Sequence, residues 1–419
     1  MEVKGYLPRI LDTRIMRRLT TAGALLITGP KWCGKSTTGR FHAASLVNMD
    51  LPENKEQFKL APALVMEGAS PRLIDEWQDA PSVWDRARRM IDEGGEPGRF
   101  IFTGSAVPGR QPSHTGTGRF SRIKMRTMTL LESGDSTGAV SLRELFDTNR
   151  LTPTASRLTY QRAVELVCRG GWPQVVGLPT KVALELSRDY LDSLVASDLS
   201  RVDGIRRNPE KLRVFLRSLA RTVSTSAKVT TLQADIASNL DESGISEKTV
   251  HSYLNALRQI FVLEEQAAWT AALRSKTRIR TRPVRHFTDP SLAAAVLGAT
   301  PDALMRDTET AGLLFESMCI RDLDVYAAAL DGQVFYYKNE AGLEVDAIIQ
   351  LDDGRWGAIE IKMGVHQFDE AARNLLALKR IMGSVASCPS FLAIITATSG
   401  YAATREDGVH IIPLDLLAS

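Results

Sequence analysis

The 419-residue chain lacks the features that mark a secreted, disulfide-bonded or membrane-spanning protein. It has only four cysteines, and none of them forms a Cys-x-x-Cys pair, so neither a zinc ribbon nor a disulfide framework is indicated. No run of about eighteen apolar residues could cross a bilayer, and residues 1–12 show no signal-peptide pattern. We therefore expect reduced, mostly buried thiols in a cytoplasmic protein with no membrane partner.

An excess of one charge sign is also absent. The chain has 52 Lys and Arg residues against 49 Asp and Glu residues, a net charge of +3, which neither demands nor excludes nucleic acid as a partner. Hydrophobic residues make up 44% and charged residues 24% of the chain, which is typical of a globular protein. The length exceeds that of one ordinary core and predicts about two to four domains.

The most specific pattern is an apolar run, Ala24–Thr28, that leads into a glycine-rich loop with the spacing Gly-x-x-x-x-Gly-Lys-Ser. Because the run is short and apolar and ends at a glycine, it predicts a buried parallel strand, followed by a helix over Thr38–Leu46. This order is typical of a nucleotide-binding P-loop. We expect the loop residues to bind ATP: Gly29, Pro30, Lys31, Trp32, Cys33, Gly34, Lys35, Ser36 and Thr37.

The residue types of the loop indicate how it would hold a polyphosphate. Gly29 and Gly34 free the backbone, so that successive N–H groups can curl around phosphate oxygens beside a helix N-terminus that favours negative charge. Lys35 would reach the β- and γ-phosphates as a catalytic lysine, and the Ser36 hydroxyl would bind a magnesium ion. The expected cofactors are therefore ATP and Mg²⁺.

Two carboxylates, Asp75 and Glu76, follow a second apolar strand downstream of the loop. Asp75 at the strand tip would meet the magnesium ion bound by Ser36, and Glu76 would polarise the attacking water. An acidic pair that caps a helix is the alternative interpretation, and the upstream loop favours the catalytic one.

A third strand, Arg99–Ser105, ends in small polar residues. Thr103 or Ser105 would there sense the γ-phosphate through a hydrogen bond, although ordinary turns end in the same residue types. The alternation of strands and helices over this region predicts a three-layer α/β fold with a parallel sheet.

These motifs resemble those of the AAA-type ATPases that carry a C-terminal domain of unknown function, a large prokaryotic family. The resemblance covers nearly the whole chain. It rests on Leu73–Gln78, on Phe100–Ser105 and on Gly170–Gln174, which is similar to the family's GGFPE turn.

The chain departs from the family at two places. Trp172 and Gln174 replace the usual Phe and Glu, and a Gly/Pro/Ser-rich insert, which predicts a flexible loop, occupies Val107–Gly118. The resemblance also implies a catalytic arginine at about Arg119, whose charge a solvated strand face explains equally well. The basic residues of the N-terminal segment 8–19 are likewise expected to be solvated.

Helical spacing dominates residues 151–225 and predicts a lid or linker. Residues 226–300 then show helix, tight turn, helix and strand, the order of a winged helix-turn-helix. Four residues of its second helix would face a DNA major groove: Lys248, Thr249, Ser252 and Tyr253. A basic cluster beyond it would contact phosphates: Arg274, Lys276, Arg278, Arg280, Arg282 and Arg285. Winged helices also serve as lids and protein contacts, so DNA, a partner protein and a second copy of the chain are all candidate partners.

A second charged set lies near the C-terminus. Asp346, Glu360 and Lys362 fall on adjacent predicted strands and resemble the PD-(D/E)xK nuclease superfamily, although Val345 stands where that motif has proline. The two carboxylates would share a metal ion, with Lys362 as a catalytic lysine rather than a ligand and Glu316 as a further carboxylate from a helix. An exposed alternating strand face is the alternative.

The leading hypothesis is a magnesium-dependent AAA-type ATPase that couples its nucleotide state to a winged-helix region and a nuclease-like C-terminal domain. One alternative is a nucleotide-gated module that binds DNA or a protein with little hydrolysis, and another is an ATP-regulated DNA nuclease. The expected boundaries place the ATPase domain at 1–150, the helical lid at 151–225, the winged helix at 226–300 and a PD-(D/E)xK-like α/β domain at 301–419.

Overall fold

The N-terminal part of the chain forms a five-stranded parallel sheet in the order β2-β3-β4-β1-β5. Its strands are β1 (Ala24–Thr28), β2 (Ser45–Asn48), β3 (Arg72–Asp75), β4 (Phe100–Gly104) and β5 (Phe120–Lys124). The structure is a computed structural model that describes residues 5–104, 115–200, 204–205, 207–239, 246–271, 281–383 and 388–419.

Helices cover both faces of this sheet, because alternate strand residues pack into two separate cores. Leu26 of β1 packs in the core that holds Trp84, and its neighbour Leu25 packs in the core that holds Ile15. Strands buried on both faces are near-continuously apolar, as β1 is. The helices are α1 (Leu11–Leu19), α2 (Lys35–His42), α3 (Pro52–Leu60), α4 (Pro62–Met66) and α5 (Ser82–Asp92). The predicted α/β fold with a parallel sheet is confirmed.

A helical region follows the sheet and contains an antiparallel strand pair, β8 (Leu263–Gln266) and β9 (Val284–Phe287). Two short strands lie near its start. β6 (Val140–Ser141) precedes the first helix, and β7 (Thr154–Ala155) lies between the first and second helices. The helices are α6 (Leu142–Thr148), α7 (Tyr160–Arg169), α8 (Thr180–Ser193), α9 (Pro209–Arg221), α10 (Val229–Asn239), α11 (Glu247–Gln259), α12 (Pro290–Leu297) and α13 (Pro301–Arg306).

The C-terminal part runs as helix, three antiparallel strands, helix and parallel strand. It comprises α14 (Thr308–Ala329), β10 (Gly332–Lys338), β11 (Glu344–Leu351), β12 (Trp356–Lys362), α15 (Phe368–Met382), β13 (Leu392–Thr396), β14 (Tyr401–Thr404), β15 (His410–Pro413) and β16 (Leu417–Ala418). The sheet order is β10-β11-β12-β13-β15-β14-β7, so a strand from the helical region completes its edge.

The hydrophobic core does not follow the expected boundaries at residues 150, 225 and 300. One continuous core extends from Leu130 through the helical region to Leu417. Strand β6 pairs with β16, and β7 pairs with β14, which ties residues 140–155 to the end of the chain. Residues from Leu130 onward in all four regions therefore share one interior, whereas the parallel sheet keeps its own two cores.

Three buried charged side chains fix the junction of these regions. The Arg321 guanidinium on α14 lies 3.1 Å from Asp289 and 2.7 Å from Asp322. The two carboxylates also accept backbone N–H bonds, Asp289 from Gly171 and Asp322 from Leu130, each at 2.9 Å. Because every charge in the group has a partner, the group withstands burial. This charged group joins α14 to the Gly-Gly-Trp turn, which is formed by Gly170, Gly171 and Trp172, and to the segment after β5.

No helix among the described residues is long and apolar enough to cross a membrane. The four cysteines are free, and Cys33, Cys168 and Cys319 are buried whereas Cys388 is exposed. The prediction of mostly buried thiols is confirmed for these three, and their reduced state stays a prediction.

Candidate functional site

The P-loop lies between the carboxyl end of β1 and the start of α2. Gly34 caps α2 with a φ of 98°, a left-handed conformation that favours glycine. A Cβ on Gly29 would stand 2.2 Å from the carbonyl oxygen of Met125, so only glycine fits where the loop passes the backbone after β5. Lys35 is buried and donates a hydrogen bond of 2.6 Å to the Pro30 carbonyl within the same loop.

Ser36 and Asp75 meet as the sequence predicts. The Ser36 hydroxyl donates to a carboxylate oxygen of Asp75 at 2.8 Å, and the Thr103 hydroxyl donates to the same oxygen. The Thr103 hydroxyl thus contacts Asp75, and its hydrogen bond to a γ-phosphate stays a prediction. Ser105, the other candidate, lies outside the described residues. Asp75 is buried, and its nearest cation is Arg40 of α2 at 3.8 Å. A hydroxyl beside a carboxylate is the oxygen donor set that Mg²⁺ prefers, so these residues fit the ion.

Glu76 follows Asp75 in an uncommon backbone conformation, with φ 50° and ψ 46°. Left-handed backbone at a residue other than glycine is strained and concentrates at functional sites. Gln78 donates a side-chain hydrogen bond to the Glu76 carboxylate. Burial raises the pKa of Glu76, and the Gln78 hydrogen bond and the Lys35 charge oppose that rise. Glu76 is thus a half-buried carboxylate beside the P-loop lysine.

Arg119 does not lie at the nucleotide site of its own chain. It immediately precedes β5, whose first residue, Phe120, pairs with the first residue of β1. The P-loop leaves the opposite end of β1, five residues or about 16 Å away at the rise of an extended strand. There the Arg119 guanidinium pairs with Asp92 at 2.8 Å. Arg119 therefore lies away from the P-loop of its own chain, and its catalytic role stays a prediction.

Arg9 is a loop-supporting residue that the sequence interpretation missed. Its guanidinium donates to the Cys33 carbonyl of the P-loop and to the Arg126 carbonyl, each at 2.9 Å, and pairs with Glu132 at 3.1 Å. The expectation that the basic residues of segment 8–19 are solvated is wrong for Arg9, which is 7% exposed. Nothing in the local pattern around Arg9 signals this role, because both of its carbonyl partners are distant in sequence.

The P-loop also contacts the helical region. Lys31 forms an ion pair of 2.6 Å with Asp198, and the Trp32 ring lies 5.9 Å from the Tyr190 ring of α8. The Tyr190 ring in turn lies 5.1 Å from the ring of Trp172 in the Gly-Gly-Trp turn. A change in the loop would therefore act directly on α8 and on this turn.

Both positions of that turn require glycine, because neighbouring atoms lie too close to leave room for a Cβ atom. Gly170 has a φ of +73°, and a Cβ there would stand 2.4 Å from an Asp289 carboxylate oxygen. A Cβ on Gly171 would stand 2.1 Å from the Met128 carbonyl oxygen. The turn is thus held against the buried charged group that contains Arg321.

The C-terminal charged residues converge. Asp346 and Glu360 lie on neighbouring antiparallel strands, one position beyond the pair formed by Ala347 and Ile359. The Lys362 ammonium bridges them, 3.0 Å from Asp346 and 2.6 Å from Glu360. The Asp346 carboxylate also accepts the Ile361 backbone N–H at 2.7 Å.

The surroundings of this cluster raise the pKa values of two carboxyl groups. Burial, followed by the Asp346 charge, raises the pKa of Glu360 to about 8. Burial and the same charge raise the pKa of Glu316 on α14. Asn374 of α15 donates to Glu360 at 3.2 Å. No set of three or more His, Cys, Asp or Glu side chains in the described part of the chain is arranged to hold a metal ion, so Glu316, Asp346 and Glu360 do not form one.

Two residues of the predicted DNA-binding surface are buried. Tyr253 is 4% exposed, and its ring packs 5.2 Å from that of Phe215, so it does not face a groove. Arg285 is 6% exposed, pairs with Glu265 at 3.4 Å and donates to the Ala227 carbonyl. Both predictions fail because tertiary packing covers these side chains.

The other members of that surface differ in exposure. Lys248 and Arg282 are exposed, whereas Thr249 and Ser252 are half-buried. Ser252 accepts a hydrogen bond from Arg207 at 3.2 Å. Arg274, Lys276, Arg278 and Arg280 lie outside the described residues.

Three known families match separate parts of the chain. Residues 21–133 match an AAA domain, and residues 160–303 and 311–417 match two domains of unknown function, DUF8612 and DUF4143. The AAA match contains the parallel sheet, the P-loop, Asp75 and Glu76. The other two matches name no activity.

The chain also resembles several individual proteins. Two uncharacterized proteins, from Mycobacterium bovis and Mycobacterium tuberculosis, are each 25% identical over 356 residues, which is 83% of this chain and 72% of theirs. The Walker-type ATPase paby2304 of Pyrococcus abyssi aligns over 70% of this chain and 96% of its own, at 15% identity and a TM-score of 0.42. The ORC2 protein of Aeropyrum pernix aligns over 73% and 97%, at 12% identity and a TM-score of 0.32.

The two structural similarities are too weak to carry an argument. The assignment rests instead on the family match, on the parallel sheet order and on the P-loop that the sheet presents at its carboxyl edge. The N-terminal region of the chain is therefore an AAA-type P-loop domain.

Proposed function

We propose that the chain binds ATP at its P-loop and hydrolyses it in the presence of Mg²⁺. The observation that carries this proposal is the 2.8 Å contact between the Ser36 hydroxyl and the Asp75 carboxylate, beside a buried lysine. Phosphoryl transfer needs positioning and charge neutralisation more than covalent chemistry from the protein, and these residue types supply both. When bound with the nucleotide by Ser36 and Asp75, magnesium would neutralise phosphate charge.

Lys35 supplies a cation that is already positioned inside the loop. Its ammonium donates to the Pro30 carbonyl, a neutral acceptor. On nucleotide binding it exchanges that acceptor for phosphate oxygens, with which a charged donor forms stronger hydrogen bonds. Backbone N–H groups between Gly29 and Lys35 hold the remaining phosphate oxygens.

Glu76 acts on the water. Its raised pKa makes the carboxylate a better proton acceptor than an exposed glutamate while Lys35 keeps it from becoming neutral too readily. Glu76 accepts a proton from the water as the water oxygen bonds to the γ-phosphorus and the bond to the bridging oxygen breaks. Gln78 holds the carboxylate in position through its hydrogen bond.

The helical region would respond to the nucleotide through Lys31 and Trp32. Both residues lie in the P-loop. Their partners are Tyr190 of α8 and Asp198, which ends the π-helical segment Leu194–Asp198 that continues α8. A loop that closes on phosphate changes these two contacts together. The buried group at Arg321 offers a continuous packed connection from the Gly-Gly-Trp turn to α14, which carries Glu316.

Release of phosphate from ATP tests the proposal. The full chain should release phosphate with Mg²⁺ and cease to do so when Mg²⁺ is chelated. Asp75→Asn should abolish release, because it removes the charge beside Ser36, whereas Asp79→Asn should not. Asp79 is an exposed carboxylate four residues away whose partner is Lys55, which makes it a matched control. Equal turnover in the two variants would overturn the assignment of Asp75.

A second candidate function is nuclease-like chemistry at the C-terminal cluster. The order of helix, three antiparallel strands, helix and parallel strand, together with the convergence of Asp346, Glu360 and Lys362, favours it. The donor set fits a metal poorly, because the lysine ammonium already bridges the two carboxylates. No metal-dependent reaction step is therefore proposed for this cluster.

Calorimetry with Mn²⁺ and a plasmid-cleavage assay decide the second candidate. Both should use the full chain, because the C-terminal sheet includes β7 and shares its core with the helical region. Heat that is lost in Asp346→Ala and in Glu360→Ala would support a metal site. Absence of heat together with an uncut plasmid would leave the cluster a structural ion bridge.

A further inference from the structure

A cavity in the helical region is lined by four arginines. It has a volume of about 730 Å³ and lies between α8, α9 and α12. Arg188 stands on the α8 side, and Arg213, Arg217 and Arg221 stand on the α9 side. All four are exposed, and the cavity contains no residue of the P-loop.

The three arginines of α9 form a regular row. They are spaced four residues apart, so they share one face of the helix and follow one another at about 6 Å. Like charges at this spacing destabilise a helix. Arg188 adds a fourth positive charge from the opposite wall.

Only half of this charge is compensated. Arg213 pairs with Asp192 at 2.8 Å, and Arg221 pairs with Asp235 at 2.6 Å. In the part of the chain that the structure describes, Arg188 and Arg217 have neither a hydrogen bond nor an ion pair. The two partnered arginines have a carboxylate beside them, and the two others remain available to a ligand.

The floor of the cavity is apolar. Val195, Val214 and Val296 contribute to it, together with Leu191, Leu216 and Ala295. An apolar floor of this size with a few convergent polar groups is the usual form of a site for an organic ligand. Arginine is suited to phosphate because its planar guanidinium presents two parallel donors to two phosphate oxygens.

We propose that this cavity binds phosphate groups of an organic ligand, with Arg188 and Arg217 as its main contacts. The phosphate can come from a single-stranded nucleic acid backbone or from a small phosphorylated molecule. The row of guanidinium groups fits the repeating negative charge of a nucleic acid backbone. The apolar residues of the cavity can contact the bases of a nucleic acid or the organic part of a small phosphorylated molecule. The site is separate from the P-loop and stands whether or not that loop hydrolyses ATP.

Binding of two probes tests the proposal: a short fluorescent single-stranded DNA, followed by anisotropy, and inorganic triphosphate, followed by calorimetry. Both experiments use the full chain with Lys35→Ala, which removes the contribution of the P-loop lysine. The cavity variant adds Arg188→Gln and Arg217→Gln. Its matched control adds Arg143→Gln and Arg380→Gln, two exposed helical arginines outside the cavity with the same change in charge.

We expect at least one probe to bind, and its dissociation constant to rise by about tenfold or more in the cavity variant but not in the control. If DNA is the ligand, the salt dependence of log K should also become shallower by about 1.4, since each single-strand phosphate contact contributes about 0.7. Binding of triphosphate alone would identify a small phosphorylated molecule as the source. The proposal is overturned if neither probe binds at low salt, or if cavity and control variants lose affinity equally.

Discussion

The P-loop site and the C-terminal cluster each hold two acidic side chains, consecutive at the end of one strand in the first and on neighbouring strands in the second, yet the partners of these side chains differ in kind. In the P-loop site, Asp75 accepts hydrogen bonds from two hydroxyl groups, Ser36 and Thr103. In the C-terminal cluster, Asp346 and Glu360 share the ammonium of Lys362. A hydroxyl donates a hydrogen bond to a carboxylate and leaves the carboxylate charge uncompensated. An ammonium donates a hydrogen bond and also compensates that charge.

This difference bears on function. The Asp75 carboxylate has two hydroxyl partners, and the Arg40 guanidinium stands 3.8 Å away, at the place where a P-loop needs a magnesium ligand. The C-terminal carboxylates are already compensated, which stabilises a buried cluster and leaves less attraction for a metal ion. Acidic residues at strand ends therefore do not define an ion site until the charge of their partners is known.

The largest effect on ATP binding should follow from Lys35→Ala. Loss of the ammonium removes charge-assisted hydrogen bonds to phosphate, each of which contributes about 1.5–3 kcal/mol. We expect ATP to bind about a hundredfold more weakly or not at all, measured by titration calorimetry. Lys55→Ala is the control, because Lys55 pairs with Asp79 outside the loop. An affinity for ATP that stays unchanged would separate Lys35 from nucleotide binding.

A substitution in the C-terminal cluster should lower the free energy of unfolding of the chain. Lys362→Met leaves Asp346 and Glu360 without their cation, and removal of one partner of a buried ion pair costs about 3 kcal/mol. We expect this loss in urea denaturation at about pH 9, where Glu360 of the native chain is mostly ionised, and a smaller loss at about pH 5, where Glu360 binds a proton. The exposed Lys379→Met is the control. A loss equal at both pH values would show that Glu360 does not carry the effect.

The free energy of unfolding of the native chain should depend on pH because Glu360 titrates. Its pKa is about 8 in the folded chain against an ordinary value of 4.5, so the folded state binds more protons between these values. Stability contributed by this group is thus full below about pH 4.5 and falls as pH rises towards 8, by at most about 1.4 kcal/mol per pH unit. Glu360→Gln should flatten the fall. A variant with the same pH dependence as the native chain would contradict the assignment.

The smallest effect concerns Gln78. Its hydrogen bond to the carboxylate lowers the pKa of Glu76, so Gln78→Leu should raise that pKa further. Because Glu76 must be ionised to accept a proton, the acidic limb of the pH profile of kcat should move to higher pH. Gln161→Leu, at an exposed position on α7, is the control. An acidic limb that stays in place would leave Gln78 without a role in orienting the base.

Local patterns predicted the P-loop site well. The loop is contiguous in sequence, and Asp75 and Thr103 end apolar strands of one parallel sheet, so their side chains meet at the same edge. The meeting of Asp346 and Glu360 was also predictable, because a tight turn at Gly354 joins their strands. The bridging position of Lys362 was not, since spacing places a residue on a face but does not give its ion partner.

What failed depends on contacts between distant segments. Tyr253 and Arg285 carry the residue types of a nucleic-acid surface, and only the packing of Phe215 and Glu265 against them shows that they are buried. The expected boundaries stay predictions, although the pairing of β6 with β16 joins residues 140–141 to the end of the chain across all of them. Residue type indicates a role, and tertiary packing decides whether the side chain is available for it.

ATP turnover by Glu76→Gln tests the central claim most directly, with ATP affinity measured on the same preparation. Glutamine keeps the size of Glu76 and its contact with Gln78 but cannot accept the proton of the water. We predict nearly native ATP binding and a kcat lower by about two to four orders of magnitude, the range of general base catalysis. Native turnover in this variant would contradict the account, because the carboxylate beside Asp75 would then have no part in hydrolysis.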